Sequence, residues 1–219
     1  MLATVTWYAT RASGVVAYLL LAASVVFGLT LSSRIHGSRP SRPWVLDVHR
    51  MLGGLAVLLT LTHVAAILLD SYTSFDAADV LMPFASGWNP AAVAAGVVAL
   101  WLLAAVELTS LARDRLSNRV WRRVHMLSFA VFLLTTVHFV AAGTDASSPV
   151  MLVSLLALVS TVVALTALRA GKHLVRTAPP RATRAPTAPS GARPGAAPRH
   201  ASPPPPPRRR RAEELVNPR

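Results

Sequence analysis

The sequence predicts an all-α integral membrane protein: five transmembrane helices with the N-terminus outside, followed by a disordered cytoplasmic tail. Three observations lead to this prediction. Five apolar stretches are about 20 residues long or longer, the length that crosses a bilayer as a helix. The loops between them alternate in charge. The last part of the chain, residues 172–219, is instead rich in proline and arginine.

The five predicted spans cover residues 12–32, 47–69, 90–111, 121–142 and 149–170. The first span does not look like a cleavable signal peptide. Its apolar run is too long, Arg11 is the only basic residue before it, and no small-residue cleavage site follows. We therefore predict that it is a retained helix. Pro90 and Pro149 open the third and fifth spans, where the missing N–H costs little.

The loop charges predict the orientation of the spans. The second and fourth loops carry only acidic charge, and the first and third loops are basic. The acidic residues are Asp70, Asp76, Asp79 and Asp145, and the basic ones include Arg34, Arg39, Arg42, Arg113, Arg115, Arg119, Arg122 and Arg123. Since basic loops stay in the cytoplasm, the N-terminus is predicted outside and the tail inside.

The tail, residues 172–219, contains twelve of the 17 prolines and eleven of the 22 Lys and Arg residues, so most of the +13 net charge belongs to it. Such a composition cannot bury a core. Pro203–Pro207 followed by Arg208–Arg211 suits a polyproline-binding domain or anionic lipid, and a solvated extension is the alternative. A nucleic-acid function is excluded, because no folded basic surface accompanies the charge. The absence of cysteine excludes disulfides, iron–sulfur clusters and thiolate-bound or c-type haem.

Four of the seven histidines lie inside the second and fourth predicted spans, as the pairs His49/His63 and His125/His138. Separations of 14 and 13 residues correspond to roughly 20 Å of helix, most of the hydrocarbon thickness. Ionisable side chains at this depth are costly and usually functional. The predicted orientation puts His49 and His125 near the inner face, and His63 and His138 near the outer face. The pattern predicts two metal centres stacked across the membrane.

The helical wheel supports this pattern only in part. Fourteen residues leave His49 and His63 roughly 40° apart, whereas thirteen leave His125 and His138 roughly 140° apart on an ideal helix. Either the fourth span is locally rewound, or the two centres lie on different sides of it. Isolated histidines that bond to a neighbouring helix are the ordinary alternative, and a proton path is another. A zinc site is disfavoured, because no carboxylate or thiol accompanies either pair.

Over residues from about 7 to 170, the chain resembles the ferric reductase-like transmembrane domain. Ferric reductases, NADPH oxidases and the haem membrane subunit of the bacterial methionine-sulfoxide reductase system share this domain. The resemblance lies in the strings Thr10-Arg11-Ala12-Ser13-Gly14, Asp47-Val48-His49-Arg50 with His63, and Trp121-Arg122-Arg123-Val124-His125 with His138. It implies that residues 1–171 bind two b-type haems, the inner iron held by His49 and His125 and the outer iron by His63 and His138.

Arginines near these histidines suit haem propionates, since a guanidinium binds carboxylate bidentately. Arg11 matches a family arginine beside the outer haem, and a snorkelling arginine is the alternative. Arg50, Arg122 and Arg123 are candidates at the inner haem, although the positive-inside rule already explains them.

The resemblance implies a b-type cytochrome in the plasma membrane. It would move electrons from a cytoplasmic flavoprotein reductase or a quinol to ferric iron, oxygen or a periplasmic protein. Larger family members continue into FAD- and NADPH-binding domains. No Gly-rich nucleotide fingerprint occurs here, so we predict no FAD or NAD(P) site on this chain and a separate donor. Bis-histidine iron has no open position, so no catalytic residue is assigned, and whether the chain alone is an enzyme stays open. The rival function is a non-catalytic anchor that acts through its basic tail.

Overall fold

The long apolar stretches of the chain fold into helices, because only internal hydrogen bonding satisfies a backbone in lipid. The computed structural model describes residues 2–33, 40–70 and 75–177, and these residues contain helices and turns but no strand. A short 3₁₀ turn covers Arg113–Arg115. The helices are α1 (Leu2–Ser33), α2 (Arg42–Leu69), α3 (Ala77–Leu81), α4 (Pro90–Leu111), α5 (Asn118–His125), α6 (Ser128–Ala142) and α7 (Pro149–Thr177).

Five stretches of the described chain are long and apolar enough to cross a membrane, which confirms the predicted all-α architecture. They are Thr4–Ser32, Arg42–Leu69, Pro90–Leu111, Asn118–Ala142 and Pro149–Gly171. The first two begin several residues earlier than predicted. Helices α4 and α7 begin at the two prolines that the sequence indicated.

Helix α7 continues to Thr177, beyond the predicted end of the last span. The first proline after Pro149 is Pro179, so no proline interrupts α7 before its end. The rest of the predicted tail, residues 178–219, lies outside the described residues. The orientation of the N-terminus stays a prediction.

Helix α1 packs against α2, α6 and α7. Its Tyr18 stacks on Phe139, with ring centres 5.1 Å apart, and its hydroxyl lies 3.1 Å from the Thr136 hydroxyl of α6. Buried Ala22, Val25 and Leu29 of α1 complete this cluster with Phe132 and Val162. Helix α1 therefore anchors the bundle.

A gap separates α2 from α5 and α6. Helix α4 packs against α5 and α6, while α2 packs mainly against α1 and hardly touches α4. Buried Leu21, Ala56 and Val131 pack together near the middle of their spans and form an apolar layer. Cavities lie to either side of this layer, and Leu21 lines both of them.

The fourth span is locally rewound. Helix α5 ends at His125 and α6 begins at Ser128. In between, Leu127 N–H donates to the carbonyl of Val124 at 2.9 Å, a three-residue bond of the 3₁₀ type. A 3₁₀ residue turns about 20° more than an α-helical one, so Met126 and Leu127, whose ψ angles are -19° and -15°, remove roughly 40° of the 140° offset. The structure thus favours the first of the two predicted alternatives.

The connection between α2 and α4 carries the short helix α3. Asp76 and Asp79 form a capping box at its start, and Trp101 of α4 donates its indole N–H to the carbonyl of Leu81 at 3.1 Å. Phe75 and Trp88 from this connection line one of the two cavities. These contacts place the connection over that cavity.

Candidate functional site

The four span histidines meet as two pairs across the gap. The ring centres of His49 and His125 are 6.0 Å apart, and those of His63 and His138 are 6.4 Å apart. An imidazole nitrogen lies about 2.0–2.1 Å from a bound transition metal, so two imidazoles on one ion have ring centres roughly 6–6.5 Å apart. Both pairs therefore have a spacing that suits a shared ion.

Three of the four imidazoles are fixed through Nδ1. A backbone carbonyl lies 2.8 Å from each of these nitrogens: that of Ser24 for His49, Thr10 for His63 and Ala92 for His138. A carbonyl only accepts, so Nδ1 carries the hydrogen and a neutral ring keeps its lone pair on Nε2. Metal-bound histidines are oriented in this way. The hydrogen bond that would explain an isolated membrane histidine is present, yet it leaves Nε2 available for a ligand.

Three glycines make room for these three rings. A Cβ atom built on each glycine would lie 2.8, 3.2 or 2.8 Å from the nearest ring atom. Gly14 faces His63, Gly28 faces His49, and Gly96 faces His138. Each accepting carbonyl belongs to the residue four positions before the facing glycine, so the bare helix surface exposes the carbonyl to the imidazole. We call these three contacts the glycine notches.

His125 has a different neighbour. Ser110 occupies the place of a glycine, and its Oγ lies 3.5 Å from His125 Nδ1. The same hydroxyl donates to the carbonyl of Val106 at 2.7 Å, four residues earlier. Trp121 stacks on the His125 ring with centres 5.0 Å apart, and the Arg113 guanidinium lies 4.6 Å from the centre of Trp121. His125 is thus held by stacking and by a weak polar contact.

The notches reveal a repeat that the sequence analysis missed. Gly14 and Gly28 are 14 residues apart on α1, and Gly96 and Ser110 are 14 residues apart on α4. This spacing equals that of His49 and His63. Small residues at the histidine spacing, on the helix before each histidine-bearing span, were the signal available in the sequence.

A cavity of about 2410 Å³ adjoins the His49–His125 pair. Its mainly apolar wall also carries five arginines and Glu107. The arginines are Arg42, Arg50, Arg113, Arg122 and Arg169. The predicted residues Arg50 and Arg122 therefore lie at this pair, whereas Arg123 does not line the cavity. Whether any of them contacts a propionate stays a prediction.

A second cavity of about 330 Å³ adjoins the His63–His138 pair, and Arg11 lines it as the sequence suggested. The guanidinium is already paired with Asp145. Its Nε donates to Asp145 Oδ2 at 2.9 Å, Nη2 donates to Oδ1, and the group lies 4.1 Å from the centre of the Trp7 ring. Asp145, the acidic residue of the fourth loop, is thus part of the cavity wall. The contact of Arg11 with a propionate stays a prediction.

Two buried polar atoms have no hydrogen-bond partner within the described residues: Thr10 Oγ1 and Trp121 Nε1. Such atoms are rare in folded proteins. The Thr10 carbonyl holds His63, and Trp121 stacks on His125, so one unpaired atom belongs to a residue at each pair. The described residues contain no group of three or more His, Cys, Asp or Glu side chains that could hold a metal ion. Each pair therefore suits a metal whose remaining ligands come from a cofactor.

Comparison with known proteins gives a family match over much of the chain. The family model described as the ferric reductase like transmembrane component matches residues 13–136, more than half of the chain. The match includes His49, His63 and His125 and ends two residues before His138. No curated protein and no solved structure matches the chain. The chain is thus a multi-pass membrane protein that belongs to the ferric reductase-like transmembrane family, which suggests a membrane electron-transfer component.

Proposed function

We propose that the protein is a di-haem b-type cytochrome that carries electrons across the plasma membrane. His49 and His125 would hold one haem, and His63 and His138 the other. The observation that carries this proposal is the pairing of the imidazoles, with ring centres 6.0 and 6.4 Å apart. Family membership supports the choice of haem, since the family usually binds it.

The surroundings of the pairs fit a large, flat, apolar group with polar edges. The walls are mainly apolar, with Leu, Val and Ala among their commonest residues, and the glycine notches let the helices stand close behind the rings. Thr10 Oγ1 and Trp121 Nε1 offer unpaired polar atoms for the edges. A bound haem would supply an iron that takes up and releases single electrons at each pair.

The residues of the chain would hold, orient and insulate the two centres. The carbonyls of Ser24, Thr10 and Ala92 keep each facing imidazole in the tautomer that binds through Nε2. The apolar layer of Leu21, Ala56 and Val131 would keep water out of the space between the centres. Two histidines per iron leave no position for a substrate, so the acceptor would receive its electron without binding iron.

The direction of transfer follows from the loop charges. The His49–His125 pair lies near the basic loops, which face the cytoplasm by the positive-inside rule. The five arginines of its cavity favour an anionic donor surface, and a flavoprotein reductase or a quinol is the proposed donor. The His63–His138 pair would then pass electrons to ferric iron, oxygen or a periplasmic protein.

Visible spectra of the purified protein test this function. We expect low-spin bis-imidazole bands at about two haems per chain. His63→Leu and His138→Leu should each lose one haem and keep the other, because each removes one ligand of the same pair. His200→Leu, which changes a histidine outside the apolar spans, is the control and should keep both haems. A colourless protein from haem-sufficient cells, or membrane-inserted variants that lose nothing, would contradict the proposal.

A further inference from the structure

We propose that Ser110 sets the reduction potential of the haem at the His49–His125 pair by withholding a strong hydrogen bond from His125. This inference rests on the proposed di-haem function. It makes Ser110 a positioning residue, since the serine acts on the iron only through an imidazole.

The imidazole of His125 differs from the other three in the hydrogen bond at its Nδ1. The Nδ1 atoms of His49, His63 and His138 each lie 2.8 Å from a backbone carbonyl, within the normal range for an N–H···O bond. The partner of His125 Nδ1 is Ser110 Oγ at 3.5 Å, where such a bond is weak. His125 is therefore the one ligand of the four without a firm Nδ1 partner in the described structure.

Ser110 itself creates the difference. By analogy with the glycine notches, the carbonyl of Val106 is the one that would receive the His125 N–H. The Ser110 hydroxyl donates its single hydrogen to that carbonyl at 2.7 Å instead. The serine side chain thus lies where a notch would bring ring and carbonyl together.

The electronic consequence follows from the charge on the ligand. A strong hydrogen bond from Nδ1–H to a carbonyl makes the imidazole a more basic ligand, which favours the ferric over the ferrous state. Hydrogen bonding in this outer shell is one of the means by which proteins tune haem potentials. With a weak bond at His125, the iron at this pair is easier to reduce than it would be behind a glycine.

Redox titration of the visible haem bands in the purified protein tests the proposal. Ser110→Gly frees the Val106 carbonyl, so the potential of one of the two haems should fall while the other stays unchanged. A His63→Leu background, which lacks the haem of the other pair, identifies the component that shifts. The low-spin ferric EPR signal of the same haem should change with it.

Two further variants make the test sharp. Ser154→Gly is the matched control, because Ser154 makes the same bond to a carbonyl four residues earlier, at 2.8 Å, on an exposed part of α7. It should move neither potential. Gly28→Ser installs a hydroxyl facing His49, where a Cβ would lie 3.2 Å from the ring, and should raise the potential of the same haem that Ser110→Gly lowers.

The outcomes separate this inference from the function on which it rests. A wild-type protein without haem would overturn the proposed function. Two haems with unchanged potentials in Ser110→Gly and Gly28→Ser would overturn only the role of Ser110. Equal shifts in Ser154→Gly would also overturn it, since they would show that any loss of such a serine moves the potential. If Ser110→Gly does not insert, Gly28→Ser alone decides.

Discussion

A histidine in a membrane helix can bond to a neighbour or bind a metal, and in this protein three histidines are arranged for both. Nδ1 donates to a carbonyl on another helix, and the lone pair remains on Nε2. The two explanations that compete at the level of sequence therefore describe the two nitrogens of the same ring. Spacing alone predicted which histidines form pairs. The spacing gives no information on the partner of either ring nitrogen, because that partner belongs to another helix whose position is set by the fold.

Arg11 and Asp145 show the same limit for a charged pair. They are 134 residues apart in sequence, and their side chains remain 29% and 34% exposed. The sequence predicted Arg11 beside the His63–His138 pair, and Arg11 lines the cavity there, but the sequence could not supply its partner. In the structure the pair puts no net charge next to the His63–His138 centre, so removal of either member would leave one.

Removal of either charge should therefore shift the potential of the haem at His63–His138, in opposite directions. Asp145→Asn leaves a positive charge, which stabilises the reduced iron and raises the reduction potential. Arg11→Gln leaves a negative charge, which lowers it. Partial solvent screening limits each shift to something on the order of 1 kcal/mol. Redox titration measures both. Arg123→Gln, at an exposed arginine that lines neither cavity, should move neither haem. Shifts of the same sign in the two variants would contradict this account.

At the scale of elements, the break between α5 and α6 explains how His125 and His138 can face α2 despite their 13-residue spacing. Thirteen residues cannot put two side chains on one face of an ideal helix, yet both histidines of this span meet their partners on α2. The break falls at Met126 and Leu127, which are neither proline nor glycine. No local sequence signal marks this site. The spacing of the histidines was thus the sign that some rewinding had to occur, without showing where.

At Gly14 and Gly96 the notch leaves no room for a Cβ, which would lie 2.8 Å from the ring, whereas at Gly28 that distance is 3.2 Å. In Gly96→Ala the new Cβ would lie 2.8 Å from His138 Nδ1, so the ring must move away from the Ala92 carbonyl. We expect most of one haem per chain to be lost, with the other retained. Haem content per chain by absorbance is the measurement.

Gly54→Ala is the matched control for this experiment. Gly54 lies within α2, and its added Cβ would meet nothing within 4 Å. Both haems should be retained at the wild-type level. Equal haem loss in the two variants would attribute the effect to helix stability rather than to the notch.

At the scale of the molecule, the fold class was predictable because the bilayer dictates it. A backbone in lipid must satisfy its own hydrogen bonds, so long apolar stretches become helices whatever their neighbours. The arrangement of the helices was not predictable in this way. Lipid is as apolar as leucine, so the sequence of an apolar helix does not show which face packs against protein. The close packing of α1 on α2 and of α4 on α6 depends on small residues such as the notch glycines. The role of these residues can be seen only once the positions of the histidines that they face are known.

The predicted orientation can be tested because the chain contains no cysteine. A single cysteine at Ala85, exposed in the connection before α4, should react with a membrane-impermeant maleimide in intact cells. A cysteine at Arg119, exposed at the start of α5, should react only after permeabilisation. Labelling of Arg119→Cys in intact cells with protection of Ala85→Cys would invert the topology. The proposed direction of electron flow would invert with it.

If the two histidine pairs bind metal, the gap between α2 and the α5–α6 span has a consequence for assembly. These helices contribute one histidine each to both pairs, yet they hardly pack against each other. Two shared metal centres would be cross-links between them, one on each side of the apolar layer. Cofactor insertion would then be a late step of folding that links α2 to the α5–α6 span. The stability of this side of the bundle would depend on cofactor supply. A chain made without the cofactor would be most open to proteases along this gap.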